Sequence, residues 1–412
     1  MPGTLFTNAA VLDVAAGQLV LGQSVLVQDE RITDIGSDVV AADATTVDLR
    51  GKTLMPGLID CHVHVTAATA DLAQIVDWSP TYLGAQAASI MRDMLQRGFT
   101  TVRDAGGADF GLARAVAEGL FDGPRLIYGG RALSQTGGHG DVRPMGRTAL
   151  EPGYPYTALG TICDGVPAVR QAVREEIKRG ASHIKLMLSG GVASPTDRVD
   201  STQFSLDEIR AAVEEAEAAN IYVLGHAYTA RAINRGLACG VRTIEHGNLM
   251  DESTPPLFLE HDAFYVPTLA TFSALAERGR TFGLPEHSYQ KVFDVLDAGL
   301  RALDLAHRAG VRIAYGTDLL GGMHVDQLRE FELRAQVQPA ADILRSATLV
   351  GAQLVRMEGD IGVIAPGAFA DLLVVDGNPL ADVTVLSRPD EHLLMVMKAG
   401  RLYRDRLSGQ SP

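Results

Sequence analysis

Short apolar runs recur along the middle of the chain, and each is followed by a polar loop and a helical pattern. In the segments between them, such as AASIMRDMLQRG and LDEIRAAVEEAEAAN, apolar residues return with the spacing of an amphipathic helix. Strand–helix alternation repeated eight times over roughly 250 residues is typical of a (β/α)8 TIM barrel. The pattern therefore predicts an α/β protein. The eight runs lie at residues 57–63, 99–106, 125–130, 183–188, 221–227, 241–247, 263–268 and 311–318.

The two chain ends follow a different pattern. Residues 4–50 and 360–404 contain short alternating runs that are separated by Gly, Asp and Asn, which is typical of antiparallel strands and turns. Each end alone is too short for a stable sheet. We therefore expect residues 1–55 and 360–412 to form one small β-sandwich, beside a barrel made of residues 56–359.

Composition and charge narrow the class of ligand. The 412 residues are 46% hydrophobic and carry a formal net charge of -14, which disfavours binding to nucleic acid or to an anionic membrane. No apolar run approaches the ~20 residues of a membrane span, and the N-terminus lacks a signal-peptide pattern. The three cysteines are widely spaced and suggest no disulfide framework. We expect a cytoplasmic protein that acts on a small molecule, although a leader removed beforehand would leave no trace in this sequence.

Metal-binding residue types gather at the carboxyl ends of the predicted strands. His62 and His64 are two residues apart, so in a strand they point to the same side and can bind one ion. The alternative is a pair of core histidines with local hydrogen bonds. Since the carboxyl ends of barrel strands meet at one rim, convergence of all the candidates favours a metal site. The candidates are His62, His64, Lys185, His226, His246 and Asp318.

Lys185 is unusual because it lies in an apolar strand, HIKLML. Burial lowers a lysine pKa, and a neutral amine can react with carbon dioxide to form an anionic carbamate. That group could bridge two divalent ions. The alternative is a lysine whose amine reaches solvent from the strand end. We expect His183 and Asp60, which point inward at greater depth, to support the site from below.

The motifs MPGLIDCHVHV, HIKLMLSGG, LGHAYT, IEHG and YGTD resemble those of the amidohydrolase superfamily. Within it, the chain is similar to the binuclear metal-dependent branch of Xaa-Pro dipeptidases and carboxypeptidases, which includes ochratoxin A amidohydrolases. The resemblance implies a distorted (β/α)8 barrel with a small β-sandwich from both chain ends. It also implies that His62, His64 and Asp318 bind one metal, that His226 and His246 bind a second, and that carboxylated Lys185 bridges the two. We expect zinc, which suits mixed imidazole and oxygen ligands, and a homo-oligomer.

The expected reaction is hydrolysis of an amide. A hydroxide bridging two metals can attack the amide carbonyl, while Asp318 accepts the proton and passes it to the leaving nitrogen. His139 resembles the family histidine that stabilises the carbonyl oxygen, although it could be a loop residue bonded to turn backbone. Tyr228 resembles the residue that holds the substrate carboxylate. Arg231 and Arg198 are further candidates for that contact, unless they are solvated surface charges.

Three functions are compatible with these residues. The first is release of a C-terminal amino acid from dipeptides or N-acyl amino acids, including ochratoxin A. The second is a mononuclear deaminase or an imidazolonepropionase-like cyclic amide hydrolase, which Lys185 argues against. The third is a non-catalytic barrel, which six intact ligands argue against. The long segments 131–164 and 189–204 carry little helical pattern, and we expect them to form the pocket wall or a lid.

Overall fold

The computed structural model describes residues 3–147 and 157–407, so residues 148–156 of the expected pocket wall lie outside the description. The strands are β1 (Thr4–Asp13), β2 (Gln18–Gln28), β3 (Arg31–Gly36), β4 (Thr45–Asp48), β5 (Thr53–Pro56), β6 (Leu58–Val63), β7 (Phe99–Asp104), β8 (Arg125–Tyr128), β9 (Ala132–Ser134), β10 (Gly160–Ile162), β11 (His183–Met187), β12 (Tyr222–Thr229), β13 (Thr243–Leu249), β14 (Phe264–Val266), β15 (Arg312–Ile313), β16 (Leu372–Val375), β17 (Leu393–Lys398) and β18 (Arg401–Asp405).

Helices separate most of the central strands, as the apolar spacing predicts. They are α1 (Pro80–Gln96), α2 (Phe110–Ala117), α3 (Val166–Lys178), α4 (Leu206–Ala218), α5 (Ala230–Ala238), α6 (Pro255–Glu260), α7 (Leu269–Arg278), α8 (Glu286–Val295), α9 (Gly299–Arg308), α10 (Arg329–Arg334), α11 (Ala340–Ser346), α12 (Leu349–Leu354) and α13 (Pro389–His392). Short 3₁₀ turns lie at Leu72–Asp77, Leu296–Ala298, Gly321–Asp326 and Val383–Ser387. In the described residues, no helix is long and apolar enough to cross a membrane.

The central strands pair in parallel, which confirms the α/β class. They form one sheet in the order β10-β9-β11-β12-β13-β14-β15 and a second in the order β6-β7-β8. Each of the eight predicted runs contains a strand. Within the described residues, however, the strand pairing does not close into one continuous barrel. β15 is only two residues long. Beyond it, two single backbone hydrogen bonds connect the chain to β6: Cys61 N donates to Tyr315 O at 2.8 Å, and Asp318 N donates to His62 O at 2.8 Å.

Strands from the two chain ends share one sheet in the order β18-β17-β16-β5-β1-β2-β3, with β4 paired to β1. Neighbouring residues of a strand face opposite sides of a sheet, and in the central strands β5 and β16 both sides are buried. Leu54 and Leu372 face an apolar cluster within the sheet region, whereas Met55 and Leu373 face a cluster that also contains Met91 of α1. The sheet therefore packs directly against the central α/β part.

Candidate metal centre

β6 ends at the first pair of candidate ligands. The Nδ1–H group of His62 donates to Glu245 Oε2 at 2.7 Å, and His64 Nδ1 donates to the Gly106 carbonyl at 2.7 Å. Each bond commits one ring nitrogen and leaves Nε2 with its lone pair. His62 Nε2 is buried and has no hydrogen-bond partner, which is costly unless the nitrogen binds a ligand.

β12 and β13 supply the next two imidazoles. His226 Nε2 donates to the Gly190 carbonyl at 3.1 Å, and His246 Nδ1 lies 2.8 Å from Thr268 Oγ1. The two ring centroids are 4.6 Å apart. Burial holds the pKa of both rings well below the usual histidine range, so both are neutral, which is the form that binds metal.

Asp318 lies between these imidazoles. Its Oδ1 is 3.4 Å from His62 Nε2 and 3.2 Å from His64 Nε2, and its Oδ2 is 3.9 Å from His246 Nδ1. Burial works to raise the pKa of the carboxyl, but the attraction of the surrounding histidines, His62 foremost, lowers it well below the ordinary value. Asp318 has φ +54° and His246 has φ +73°, left-handed conformations that often mark functional sites when non-glycine residues adopt them.

These donors fit a metal ion. One ligand atom from each of His62, His246 and Asp318 lies within 4.8 Å of the others, and the group combines imidazole nitrogen with carboxylate oxygen. Lys185 lines the same cavity and is 2% exposed. Burial, the largest influence, lowers its pKa to about 8, so a neutral amine is accessible near physiological pH.

The candidate ligands line one cavity of about 360 Å³. Segments on both sides of the undescribed residues 148–156 contribute much of its wall, including the short strands β9 and β10, which sequence patterning missed. The part of the wall away from the ligands is largely apolar, as is usual for a small-molecule site. Its apolar residues include Leu72, Val76, Val142, Leu159, Ile162 and Leu320.

His139 also lines the cavity, and its ring stacks on that of His226 with centroids 4.1 Å apart. Burial lowers its pKa to about 4. Tyr228 is 3% exposed and packs beside His226 and His246, with ring centroids at 4.8 Å and 5.4 Å, but it is not among the cavity-lining residues.

The structure does not bring the two predicted arginines to the cavity. Arg198 has a side chain that is 82% exposed and pairs with Asp200, and Arg231 is exposed on α5. Arg198 lies in the loop 189–204 and Arg231 at the start of α5, and both side chains are exposed, as the solvated-charge alternative predicts. Arg131 and Arg143 line the cavity instead. Nothing in the pattern of their loop distinguished these two from other loop arginines.

A buried ion pair beneath the candidate ligands was also not predicted from the sequence. Arg103 Nη2 lies 2.9 Å from Glu245 Oε1, and both side chains have no solvent exposure. Arg103 Nη1 also donates to Thr243 Oγ1 at 3.1 Å. Strict alternation along β13 would place Glu245 opposite His246, but the left-handed backbone at His246 breaks the alternation. Consequently both side chains face the site.

The expected supporting residues lie below the ligands. His183 Nε2 donates to the Asp104 carbonyl at 2.9 Å. Asp60, whose pKa burial raises to about 6, accepts from Thr317 Oγ1 at 2.6 Å and Gln327 Nε2 at 2.9 Å. The first of these bonds connects Asp60 in β6 to Thr317, the residue before Asp318.

An α/β fold with buried histidines and an aspartate in one cavity defines a candidate metal centre, the kind of site at which hydrolases activate water. The chain belongs to the amidohydrolase family, whose model matches residues 53–403. Ochratoxinase of Aspergillus niger is 32% identical over 422 aligned residues, which cover 96% of this chain and 87% of ochratoxinase.

Solved structures extend the similarity. A prolidase complexed with N-methylphosphonate-L-proline is 50% identical with a TM-score of 0.95, and the match covers 98% of this chain and 100% of that chain. An Xaa-Pro dipeptidase with methionine bound in its active site is 31% identical with a TM-score of 0.87, again over 98% and 100% of the two chains. The family assignment made from the sequence motifs is therefore confirmed.

Proposed function

We propose that this protein is a binuclear metal-dependent amidohydrolase that releases a C-terminal amino acid from dipeptides or N-acyl amino acids, including ochratoxin-like amides. The observation that carries the proposal is the convergence of His62, His64, Lys185, His226, His246 and Asp318 on one cavity. Similarity to a prolidase, an Xaa-Pro dipeptidase and an ochratoxinase supports this substrate class.

We propose that these six side chains bind two divalent ions and that both ions are zinc. His62, His64 and Asp318 would hold one ion, His226 and His246 the other, and carboxylated Lys185 would be shared. When bound, the ions supply Lewis acidity and make a water more acidic. In the carboxylation of Lys185, the neutral amine nitrogen attacks the carbon of carbon dioxide, one C=O π bond breaks as the C–N bond forms, and the proton lost from the nitrogen passes to solvent.

The chain's own residues then have distinct tasks. Asp318 accepts a proton from the attacking water at a carboxylate oxygen and donates it to the leaving nitrogen. His139 faces the carbonyl of the scissile amide, and the apolar wall binds the acyl or side-chain group. Tyr228, which packs beside His226 and His246 without lining the cavity, would contact the carboxylate of the leaving amino acid when substrate is bound. With a net charge of -14, the protein as a whole does not attract anions, so this contact must be local.

Metal content tests the ligand assignment. Protein grown with added zinc should contain about two equivalents by elemental analysis, and Lys185→Ala should reduce that content, because a shared ligand serves both ions. ¹³C-labelled carbon dioxide should give a carbamate signal in the wild type only. A single equivalent that is unaffected by Lys185→Ala would contradict the binuclear proposal and favour a mononuclear enzyme.

The substrate class is tested with a matched pair of compounds, a dipeptide and its C-terminal carboxamide. The wild type should prefer the free carboxylate, and Tyr228→Phe should lower kcat/KM for it by about tenfold, the effect of one hydrogen bond to a charged group. Arg231→Ala, which removes an exposed charge, is the control and should change nothing. Equal cleavage of both compounds by the wild type would exclude carboxylate recognition.

A further inference from the structure

The loop of residues 189–204 contacts two histidines of the site at once. The Gly190 carbonyl accepts the Nε2–H bond of His226 at 3.1 Å. The neighbouring Gly191 lies directly against His139, since a Cβ placed there would be 2.1 Å from His139 Cε1 and 2.3 Å from Nδ1. Glycine is therefore required at 191 for the His139 ring to occupy its position. The conformation of this loop thus determines where both rings lie.

A chain of hydrogen bonds connects His139 to a carboxylate in the same loop. The Ser194 hydroxyl donates to Asp197 Oδ1 in a short contact, and Ser194 Oγ lies 2.8 Å from His139 Nδ1. A serine hydroxyl has one hydrogen, and an ionised carboxylate can only accept. The hydrogen of the second bond must therefore come from His139. The ring is held with its hydrogen on Nδ1, so Nε2 keeps its lone pair.

Asp197 is itself fixed from several sides. Its Oδ2 accepts from Gln203 Nε2 at 2.9 Å, and Gln203 Oε1 accepts from the His139 backbone N–H at 2.9 Å. Lys291 reaches in from α8 and donates to the Gly191 carbonyl at 3.0 Å, the Ser194 carbonyl at 2.9 Å and Asp197 Oδ1 at 3.3 Å. The Asp197 side chain is only 3% exposed, so these bonds are shielded from competing water.

We propose that Asp197, acting through Ser194, is a positioning residue that sets the orientation and tautomer of His139, and that Lys291 fixes the loop carrying both. None of the three needs to touch the substrate. The inference rests on the proposed function only for the role of His139 at the scissile amide. The hydrogen-bond chain itself is independent of substrate identity.

Two matched pairs of variants test the proposal kinetically. Ser194→Ala is compared with Ser201→Ala, and Asp197→Asn with Asp200→Asn, because both controls lie in the same loop but contact Arg198 rather than His139. With an Xaa-Pro dipeptide, Ser194→Ala and Asp197→Asn should each lower kcat by about tenfold or more, while KM changes by less than about twofold. The controls should match the wild type. Equal kinetics for Ser194→Ala and Ser201→Ala would overturn the proposal.

Binding separates positioning from general loosening of the loop. N-methylphosphonate-L-proline, whose tetrahedral phosphorus imitates the tetrahedral species formed when water adds to the amide carbonyl, should bind Ser194→Ala about tenfold more weakly than the wild type. Proline alone should bind both proteins equally. Equal weakening for both ligands would mean that the loop is merely structural and would contradict the proposal.

A spectroscopic readout does not depend on any substrate. In protein with ¹⁵N-labelled histidine, the His139 signals, identified by their loss in His139→Asn, should report hydrogen on Nδ1 in the wild type and a changed tautomer in Ser194→Ala. If the wild type instead carries hydrogen on Nε2, the inference fails. If the tautomer is as expected but no amide is cleaved, the proposed function fails and the positioning network stands.

Discussion

At the scale of single residues, the site is built from buried polar side chains whose hydrogen-bond and ion-pair partners are other protein groups rather than water. His62 is the clearest example, because Glu245 holds its Nδ1 and Arg103 in turn faces Glu245. A carboxylate behind a ligating histidine fixes the tautomer and makes the ring a better donor. The attraction of Arg103, followed by the hydrogen bond from His62, outweighs burial and keeps the pKa of Glu245 well below its usual range. The carboxylate is therefore charged when it supports His62.

Replacing Glu245 should weaken metal binding. Glu245→Gln retains an acceptor oxygen but removes the charge, so we expect metal affinity to fall by about 10- to 100-fold in competition with a chromophoric chelator. The melting temperature of the metal-free protein should fall as well, because Arg103 loses its buried counter-charge. Glu252→Gln, on the exposed turn after the same strand, is the control. Unchanged affinity in Glu245→Gln would show that the carboxylate does not support the ligand.

Glu330 provides a pH prediction outside the metal centre. Its side chain is fully buried, Oε2 accepts from the Ala270 N–H at 2.7 Å, and Oε1 has no hydrogen-bond partner. Burial raises its pKa to about 8 from 4.5. Between those pH values the folded state holds a proton that the unfolded state has lost, so this group makes the free energy of unfolding decrease as pH rises.

Glu330→Gln should remove that dependence. Relative to the wild type, the variant should gain stability with increasing pH from 5 to 8, by at most about 1.4 kcal/mol per pH unit. Urea unfolding at each pH measures the difference. Glu332→Gln, two residues away and exposed, should show no such trend. A constant difference across the range would mean that Glu330 is ionised in the folded protein.

At the scale of elements, the central strands and the approach of the candidate ligands to one cavity were predictable, because period-two and helical patterns persist through buried segments. β9 and β10 were not, since each has three residues and pairs within a loop rich in Gly and Pro. Glu245 was not predicted, because regular alternation would place it opposite His246. The left-handed backbone at His246 breaks that alternation, so both side chains face the site. Arg131 and Arg143 reach the cavity through loop geometry, which local sequence patterns do not encode.

The loop at 189–204 gives a prediction about an element rather than a side chain. Gly191→Ala would place a methyl group where the His139 ring lies, so either the ring or the loop must move. We expect a loss of kcat of about tenfold or more with little change in metal content. Gly84→Ala is the matched control, because Gly84 lies in α1 with nothing within 4 Å of an added Cβ. That control should be neutral or slightly stabilising. Wild-type activity in Gly191→Ala would show that the ring has room to adjust.

At the scale of the whole molecule, the terminal sheet and the α/β part share one apolar core. Leu12 and Met55 from the sheet belong to the same buried cluster as Met91 and Phe99 from the central part, and Leu373 of β16 completes it. Such a continuous core predicts one cooperative unfolding transition rather than two. The division at residues 55 and 360 would then describe topology and not independent stability.

The single tryptophan makes this testable, because Trp78 lies between a 3₁₀ turn and α1 in the central part, remote in sequence from β16. Leu373→Ala should destabilise the protein by about 2–5 kcal/mol, since Leu373 is 1% exposed and its removal leaves a cavity. Trp78 fluorescence and far-UV circular dichroism should move together to the same lower urea midpoint. Leu402→Ala, 47% exposed on β18, should leave the midpoint within about 0.5 kcal/mol of the wild type. If Leu373→Ala shifted circular dichroism while Trp78 kept the wild-type midpoint, the sheet would unfold by itself and the shared core would not couple the two parts.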